Sequence, residues 1–377
     1  MITEQIVCET GKLTRLAIVG YGLIGQRHAE VIQSVSGIIL VAVVEPEGSI
    51  SRRSIEPSVP VFSDIDQMLE QANPDGVIIA SPTTLHILHA KSCIQKNVPM
   101  LIEKPISDDL IAARELTQEA AEKKVALLVG HHRRFNPIIK RSQELIRSGE
   151  IGEVRAINAI CWFYKPDHYF ETAPWRKISG AGPISVNLIH DIDLLRYFCG
   201  EVIAVQAQCT SSKRGYENED LGSAILRFAN GAIGTVTVSD SIASPWSWEF
   251  TSNENPVYPS TQQSTYFIGG SKGSISIPDM TVWRHEGGQD WWNPMTSEFS
   301  RVENIDPLIN QIIHFNAVIQ GLEPPLVSGF EGVKSLEVID AIQRAAITHE
   351  LVQLDGSDKM IKVLDPFPST ELISSSR

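Results

Sequence analysis

Lys104 lies at the end of an apolar run, in the stretch MLIEKPIS (residues 100–107), between a glutamate and a proline. An unperturbed lysine has a pKa of about 10.4, so its side chain is a cation and a hydrogen-bond donor rather than a ready base. Beside a hydroxyl group that is being oxidised, such a donor can hold the oxygen and stabilise the developing negative charge. An exposed lysine in a surface turn would have the same local sequence, so its role depends on the surrounding elements.

A glycine pattern upstream supplies such surroundings. GYGLIG (residues 20–25) is a G-x-G-x-x-G sequence that follows the apolar run LTRLAIVG and opens a helical segment, which is the context of a dinucleotide-binding turn. Its glycines allow a tight turn, close backbone approach to a pyrophosphate, and close helix–strand packing. The helix N-terminus offers N–H groups and a partial positive charge to phosphate. The predicted phosphate-binding residues are Gly20, Gly22, Leu23, Ile24 and Gly25.

Glu45 ends the second apolar run, about 20 residues after Gly25. A carboxylate at this position accepts hydrogen bonds from a ribose diol and repels a 2′-phosphate, which favours NAD over NADP. Arg52 and Arg53 follow closely and offset part of that repulsion. With the glycine turn and Glu45 upstream, we favour a functional role for Lys104 over an exposed turn.

Apolar runs and amphipathic segments alternate over the first third of the chain. Strands are predicted at 13–20, 38–45, 75–81, 98–103 and 125–130, and helices at 25–35, 64–71, 84–96 and 108–123. Such alternation indicates right-handed βαβ units and a parallel sheet.

After about residue 130 the alternation stops. Helices are predicted at 137–148, 183–198, 307–320 and 331–348, and strands at 153–164 and 264–278. Two further strands in 223–240 are joined at Asn230-Gly231, the strongest short hairpin signal.

The chain resembles the glucose–fructose oxidoreductase / inositol dehydrogenase / MocA family of NAD(P)-dependent oxidoreductases. The resemblance is carried by GYGLIGQRHAEVI, VVEPE, GVIIASPTTLHILHA and IEKPIS, and later by GHHRRFNP and GAGPISVNLIHDIDLLRYFCG. It implies an α/β fold with an N-terminal Rossmann parallel sheet and a C-terminal α+β domain built on an open, mainly antiparallel sheet. We expect these domains at residues 1–130 and 131–367, followed by a disordered tail at 368–377.

The resemblance implies further cofactor-binding residues. In ASPTTLH (residues 80–86), Thr83 stands where the family usually has asparagine, and its backbone lines the dinucleotide. His86 either contacts the cofactor or forms a local hydrogen bond at the start of a helix. Glu103 orients Lys104 or contacts the nicotinamide ribose, and the bond before Pro105 is expected to be cis. The added cofactor candidates are Ser81, Pro82, Thr83, His86, Glu103 and Lys104.

The proton acceptor is expected in NLIHDID (residues 187–193) of the second domain. His190 matches the family's active-site histidine, which can accept a proton near neutral pH. Many members carry aspartate where this chain has Val186; Asn187 could contact substrate but cannot act as a base. Asp193 could orient His190, cap the helix or form an ion pair. His190 is therefore the predicted base, with Lys104 holding the substrate oxygen.

Substrate binding has further candidates. His132 and Arg133 follow the last Rossmann strand, where they could bind a polar substrate or form interdomain salt bridges. Trp175 and Arg176 are substrate-loop residues by resemblance. The predicted substrate-binding set is Lys104, His132, Arg133, Trp175, Arg176, Asn187 and His190.

The resemblance and these residues predict an NAD-dependent dehydrogenase that acts on a secondary alcohol of a sugar, inositol or related polyol. Two other activities on the same fold stay open. One is an NAD-using glycoside hydrolase, which makes no net NADH. The other is a non-catalytic NAD-binding sensor, in which Lys104 and His190 would be expected to be lost.

Composition disfavours other classes of protein. The 377 residues carry 32 Lys and Arg against 45 Asp and Glu, a net charge of -13, without the basic footprint of a nucleic-acid-binding protein. No apolar run approaches the roughly 20 residues that span a bilayer. The five cysteines show no C-x-x-C spacing, which fits buried, reduced thiols and a cytoplasmic location. The ten histidines show no H-x-x-x-H pattern, so we expect no metal site.

Most of the seven tryptophans lie in residues 244–259 and 282–292. Aromatic clusters mark oligomer interfaces and also stack on sugars. Because the family often dimerises through its open sheet, we favour an interface here and expect a homodimer or homotetramer.

Overall fold

The computed structural model describes residues 13–49, 51–303 and 305–354, and contacts divide the chain into two compact units. Of the described residues, the first unit comprises 13–131 and 308–333, and the second comprises 132–307 and 334–354. The division after His131 lies next to the boundary predicted after residue 130. The tail predicted at 368–377 lies outside the described residues.

A parallel sheet forms the centre of the first unit. Its strands are β1 (Thr14–Val19), β2 (Ile38–Val44), β3 (Val61–Phe62), β4 (Gly76–Ile79), β5 (Met100–Ile102) and β6 (Leu127–Val129), and the helices between them are α1 (Leu23–Ser34), α2 (Ile65–Ala72), α3 (His86–Gln95) and α4 (Leu110–Glu122). The six strands stand in the order β3-β2-β1-β4-β5-β6. The order reverses between β1 and β4, and open α/β sheets bind ligands at such a switch point.

The strands and helices predicted for this unit are confirmed, with ends that differ by a few residues. The apolar runs form strands that are largely buried in the sheet. The prediction missed β3, because Val61 and Phe62 are too short a run to show alternation.

Helix α10 (Pro307–Ile319) lies almost entirely in the first unit, whereas the sequence analysis placed it in the second domain. Residues 308–333, which were placed in the second domain, belong to the first unit. The reason is an apolar face of α10 that packs into the core of the Rossmann sheet. The core residues on this face are Leu308, Ile312, Phe315 and Val318.

The second unit is built on a larger, mixed sheet. Its strands are β7 (Val154–Trp162), β8 (Val202–Ser211), β9 (Glu219–Phe228), β10 (Ile233–Ser239), β11 (Tyr266–Gly270), β12 (Ser274–Ile277), β13 (Thr281–His285), β14 (Met295–Phe299) and β15 (Val352–Gln353). Its helices are α5 (Pro137–Arg147), α6 (Asp167–Glu171), α7 (Pro183–Val186), α8 (Leu188–Cys199) and α9 (Trp248–Thr251), together with the part of α11 (Gly329–Thr348) that follows Val333.

These nine strands stand in the order β14-β13-β12-β11-β7-β10-β9-β8-β15. Among the described strands of this sheet, only β7 and β10 pair in parallel, so the predicted mainly antiparallel sheet is confirmed. Alternate strand residues share one core with α5, α8 and α11. The exposed positions of the sheet include Ile225, Ile233, Phe267 and Trp283.

The predicted hairpin is formed by β9 and β10, and Gly231 takes the positive φ of 87° that its turn requires. The helix predicted at 183–198 is divided at Asn187, so α8 begins at Leu188, two residues before His190. Strands β8, β13, β14 and β15 were not predicted from the sequence.

The tryptophans of the two tryptophan-rich segments differ in exposure. Trp248 is buried, Trp283 is exposed on the sheet, and Trp291 and Trp292 project with 86% and 82% of their surface exposed. Trp246 packs edge-on against Trp162 at 5.6 Å. The predicted interface role therefore fails for Trp248, which is a core residue.

The cysteines also differ partly from expectation. Cys93, Cys161 and Cys199 are buried thiols, and burial raises the pKa of Cys93 and of Cys199 to about 12. Cys209 is exposed and lies in the last part of β8, where every residue from Gln208 to Ser211 is exposed. Cys8 lies outside the described residues.

Among the helices of the described segments, none has the length and apolar character needed to cross a membrane.

Candidate functional site

The glycine turn of the first unit leaves room where a pyrophosphate would approach. Gly20 has a φ of 89°, and a Cβ there would lie 2.6 Å from the Ser81 Cα. A Cβ on Gly25 would lie 2.1 Å from the Gly20 carbonyl oxygen, so this glycine permits close helix–strand packing. A Cβ on Gly22 would meet no atom of the described residues within 4 Å. Gly22 is also the N-cap of α1, whose first N–H groups have no partner within the helix.

Glu45 is buried at the end of β2, beside this turn. One carboxylate oxygen accepts the Tyr21 N–H at 2.7 Å, and the other accepts the hydroxyl groups of Ser49 at 2.6 Å and Ser51 at 2.5 Å. Burial alone would raise the pKa of Glu45, but these hydrogen bonds and the charge of Arg52 lower it overall. The carboxylate therefore stays ionised near neutral pH.

Arg52 and Arg53, the basic residues that follow Glu45, form no ion pair with it among the described residues. The Arg52 guanidinium donates to the Ser63 hydroxyl at 3.4 Å and to the Val61 carbonyl at 3.5 Å. Arg53 is exposed to solvent. The open glycine turn and the ionised Glu45 together fit the diphosphate and the ribose diol of NAD, and Glu45 opposes a 2′-phosphate.

The loop after β4 lies against the same glycine turn. Ser81, Pro82 and Thr83 carry the chain from β4 towards α3, and the Ser81 hydroxyl is 3.0 Å from the His89 Nδ1. His86 is buried, with Nε2 2.9 Å from the Ser81 carbonyl oxygen and Nδ1 3.0 Å from the Pro105 carbonyl oxygen. Both ring nitrogens thus face backbone carbonyls, which favours the local hydrogen-bonding role of His86 over a direct cofactor contact.

Lys104 leaves the carboxyl end of β5, where its side chain is half-buried. The Lys104–Pro105 bond is cis, as the resemblance implied. Glu103 is 7% exposed and accepts the Lys104 N–H at 3.3 Å. Its other oxygen lies 2.8 Å from the Nε2 of the fully buried His28. A Cβ on Gly130 would lie 2.9 Å from the Glu103 carboxylate.

His28 and Gly130 were not predicted as site residues. A signal for His28 exists, since it lies one turn after the glycine pattern on the same helix. Its partner is 75 residues away, however, and no local pattern reports such a contact.

His190 belongs to the second unit, in the first turn of α8, and is buried. Its ring packs edge-on against the ring of His132, with centroids 5.2 Å apart. The His132 Nε2 is 3.0 Å from a Glu254 oxygen, and the Asn136 amide donates to the other oxygen at 2.9 Å. Burial alone would raise the pKa of Glu254, but His132, Arg133 and Asn136 lower it to about 2.

Arg133 and Arg134 form ion pairs with acids of their own unit. Arg133 donates to Asp191 at 3.0 Å and to Glu249 at 2.9 Å. Arg134 makes two bonds to Asp193, at 2.8 and 2.7 Å. Of the roles weighed for Asp193, the ion pair is the one present. Arg133 was considered for interdomain salt bridges, but its ion pairs lie inside the second unit. Its partners there are the buried Asp191 and the partly buried Glu249.

A buried lysine that the prediction missed adjoins this group. Lys165, 5% exposed, follows β7 and donates to the Asn187 Oδ1 at 2.7 Å. Asn187 occupies the N-cap position of α8 without a capping hydrogen bond from its side chain, and its backbone carbonyl accepts the His190 N–H at 3.1 Å. Arg176 stacks on the Tyr169 ring at 3.9 Å, while Trp175 is 53% exposed.

The structure thus places the predicted residues in two groups. The first unit holds the cofactor candidates and Lys104, and the second holds His132, Arg133, Trp175, Arg176, Asn187 and His190. The joint action of Lys104 and His190 stays a prediction. Among the described residues no group of three or more His, Cys, Asp or Glu side chains has the arrangement of a metal site.

Comparison with known proteins gives consistent matches. Residues 14–131 match an oxidoreductase family with an NAD-binding Rossmann fold, and residues 139–276 match a GFO/IDH/MocA C-terminal domain. The chain is 25% identical over 353 residues to the myo-inositol 2-dehydrogenase of Thermotoga maritima, covering 90% of this chain and 98% of that protein. It is 25% identical over 338 residues to an inositol 2-dehydrogenase of Rhizobium meliloti, covering 88% and 96%.

The fold also matches solved structures. The scyllo-inositol dehydrogenase of Lactobacillus casei, solved with NAD(H) and scyllo-inositol, superimposes with a TM-score of 0.72 at 20% identity. The match covers 91% of this chain and 99% of that one.

Proposed function

Because the chain belongs to the GFO/IDH/MocA family of oxidoreductases, we propose that it is an NAD-dependent dehydrogenase acting on a secondary alcohol of an inositol, a sugar or a related polyol. The inositol dehydrogenases that it matches over most of its length support this substrate class. The observation that carries the proposal lies within the first unit. There the strands β1, β2 and β5 belong to one sheet. The open glycine turn follows β1, the ionised Glu45 follows β2, and Lys104 follows β5.

Bound NAD supplies the hydride acceptor for oxidation of the alcohol. Gly22 and the first N–H groups of α1 would hold its diphosphate, and Glu45 would hold a ribose diol. Glu103, fixed by His28, holds the backbone at Lys104 in place.

Lys104 would donate a hydrogen bond to the substrate oxygen and stabilise the alkoxide as the proton leaves. His190 would take that proton, as a histidine can near neutral pH. In the reverse direction the same pair would serve a ketone reductase.

The experiment is a panel of inositols, sugars and polyols assayed for NAD reduction, with NADP as the comparator. We expect NADH formation with at least one alcohol and a clear preference for NAD. Glycoside cleavage without net NADH would support the hydrolase instead. Tight NAD binding with no turnover of any compound would support a sensor.

We also propose that the exposed face of the large sheet joins two copies of the chain. Ile225, Ile233, Phe267 and Trp283 are between 41% and 54% exposed there, and a second copy would bury them. Ile233→Glu should lower the mass measured by sedimentation, whereas Glu153→Lys, a change of an exposed charge, should not.

We further propose a cytoplasmic location, which the free thiols of Cys93, Cys161, Cys199 and Cys209 support.

A further inference from the structure

Lys165 is buried, and within the described segments its ammonium group has one polar side-chain partner, the Asn187 Oδ1 at 2.7 Å. A lysine has three N–H donors, so two remain for another acceptor. In the described part of the chain no carboxylate oxygen lies within the 4.0 Å of an ion pair from this nitrogen. Burying a charge without a counter-ion is costly, so such a cation is unusual unless something else pairs with it.

A second cation, Arg176, lies on the same aromatic ring. The Lys165 Nζ is 5.0 Å from the Tyr169 ring centroid, and the Arg176 Cζ is 3.9 Å from it. The Arg176 Nη1 donates to the Tyr169 carbonyl and the Thr172 hydroxyl, which are both neutral. The Arg176 Nε is buried and has no hydrogen-bond partner in the part of the chain that the structure describes. Two cations therefore converge on one ring, each without an ion pair among the described residues.

The acids near Lys165 are committed elsewhere. Asp240 pairs with the Arg214 Nη1 at 2.9 Å, and Glu219 accepts the Ile184 N–H at 3.0 Å. The pKa of Lys165 is lowered overall, chiefly by burial and further by the charge of Arg176. Asp240, Cys161 and Glu249, which itself pairs with Arg133, act in the opposite direction. An added anion would relieve both unfavourable effects.

We propose that Lys165 and Arg176 bind an anionic group of the substrate, a carboxylate or a phosphate ester, so that the enzyme acts on an acidic sugar or polyol. Lys165 is joined through Asn187 to the helical turn that carries His190, which places this charge recognition beside the predicted base. The inference rests on the proposed dehydrogenase function, since it names the class of alcohol that is oxidised.

The test uses pairs of compounds that differ in charge: glucuronate and glucose, galacturonate and galactose, gluconate and glucitol, and glucose 6-phosphate against glucose. For the full chain with NAD, kcat/KM should be at least about tenfold higher for the anionic member of a pair, as expected for one charge-assisted contact. Comparing the sugar acids with glucose 6-phosphate shows whether the site prefers a carboxylate or a phosphate ester. In Lys165→Met the ratio of kcat/KM for the anionic member to kcat/KM for the neutral member should fall close to one, chiefly because KM for the anionic member rises. Lys165→Arg should restore part of the preference for the anionic member.

Lys140→Met, a change of an exposed lysine in the same unit, is the matched control and should preserve the ratio. Arg176→Gln serves as the second variant if Lys165→Met does not fold, as judged by circular dichroism. The inference is overturned if the wild type oxidises neutral members as efficiently as acidic ones, or if the variants leave the ratio unchanged. NADH formation from neutral polyols alone would leave the dehydrogenase function standing, whereas no NADH from any compound would contradict that function itself.

Discussion

The Nε2 of His28 lies 2.8 Å from a carboxylate oxygen of Glu103, although the two residues are 75 positions apart. His28 comes from the helix that follows the glycine turn, and Glu103 precedes Lys104 at the end of β5. Both side chains are buried. This contact links the element that would bind the dinucleotide to the element that bears the predicted catalytic lysine.

His28→Ala should leave the buried Glu103 without this hydrogen bond. We expect a loss of about 2 kcal/mol in the free energy of unfolding, the cost of an unsatisfied buried polar group. The loosened Lys104 backbone should also lower kcat. Urea titration and steady-state kinetics measure the two effects. Arg27→Ala, which removes an exposed pair with Glu30 on the same helix, should change stability by less than about 0.5 kcal/mol.

Gly130→Ala tests the position of Glu103 by adding a methyl group against its carboxylate. The added Cβ would lie 2.9 Å from the carboxylate carbon, so Glu103 must move. We expect kcat/KM to fall by about tenfold or more, since small displacements of positioned groups are costly in catalysis. Gly269→Ala is the matched control, because its Cβ would meet its nearest neighbour only at 4.0 Å. Equal activity of the two variants would contradict the proposed role of Glu103.

Glu45→Ala should remove the acceptor for a ribose diol and the charge that repels a 2′-phosphate. We expect the KM for NAD to rise by about tenfold or more, as for loss of a charge-assisted hydrogen bond. The preference for NAD over NADP should narrow at the same time. Kinetics with each dinucleotide measure both effects, and Glu47→Ala, at a neighbouring exposed position, should alter neither. An unchanged ratio would mean that Glu45 does not select the cofactor.

Glu254 should make stability depend on acid pH. Its pKa is about 2 in the folded chain, against 4.5 for the ordinary group. The carboxylate therefore stabilises the fold above pH 4.5, by on the order of 3 kcal/mol, and that contribution is lost as the pH falls from 4.5 towards 2. Glu254→Gln should be less stable than the wild type at pH 7, with the difference shrinking at pH 3. Glu153→Gln, in an exposed pair with Arg155, should show no such change. A difference that does not depend on pH would contradict the ionised role.

Local sequence patterns were sufficient to predict the Rossmann strands, the glycine turn between β1 and α1, the position of Glu45 directly after β2, and the Asn230-Gly231 hairpin, since each is determined by neighbouring residues. They could not place α10, because its apolar face only becomes informative once the sheet that it covers is known. They also missed His28, Gly130 and Lys165. The contacts of these residues with Glu103 and Asn187 are long-range, and only the folded chain brings them together.

The catalytic role of Lys104 is the central claim, and Lys104→Met tests it most directly. With the best alcohol of the panel and saturating NAD, we expect kcat to fall by about 100-fold or more, the usual effect of removing a group that stabilises developing charge. NAD binding and the thermal midpoint should change little. Lys96→Met, at an exposed lysine paired with Glu70 in the same unit, should retain full turnover. Wild-type kcat in the Lys104→Met enzyme would contradict the account.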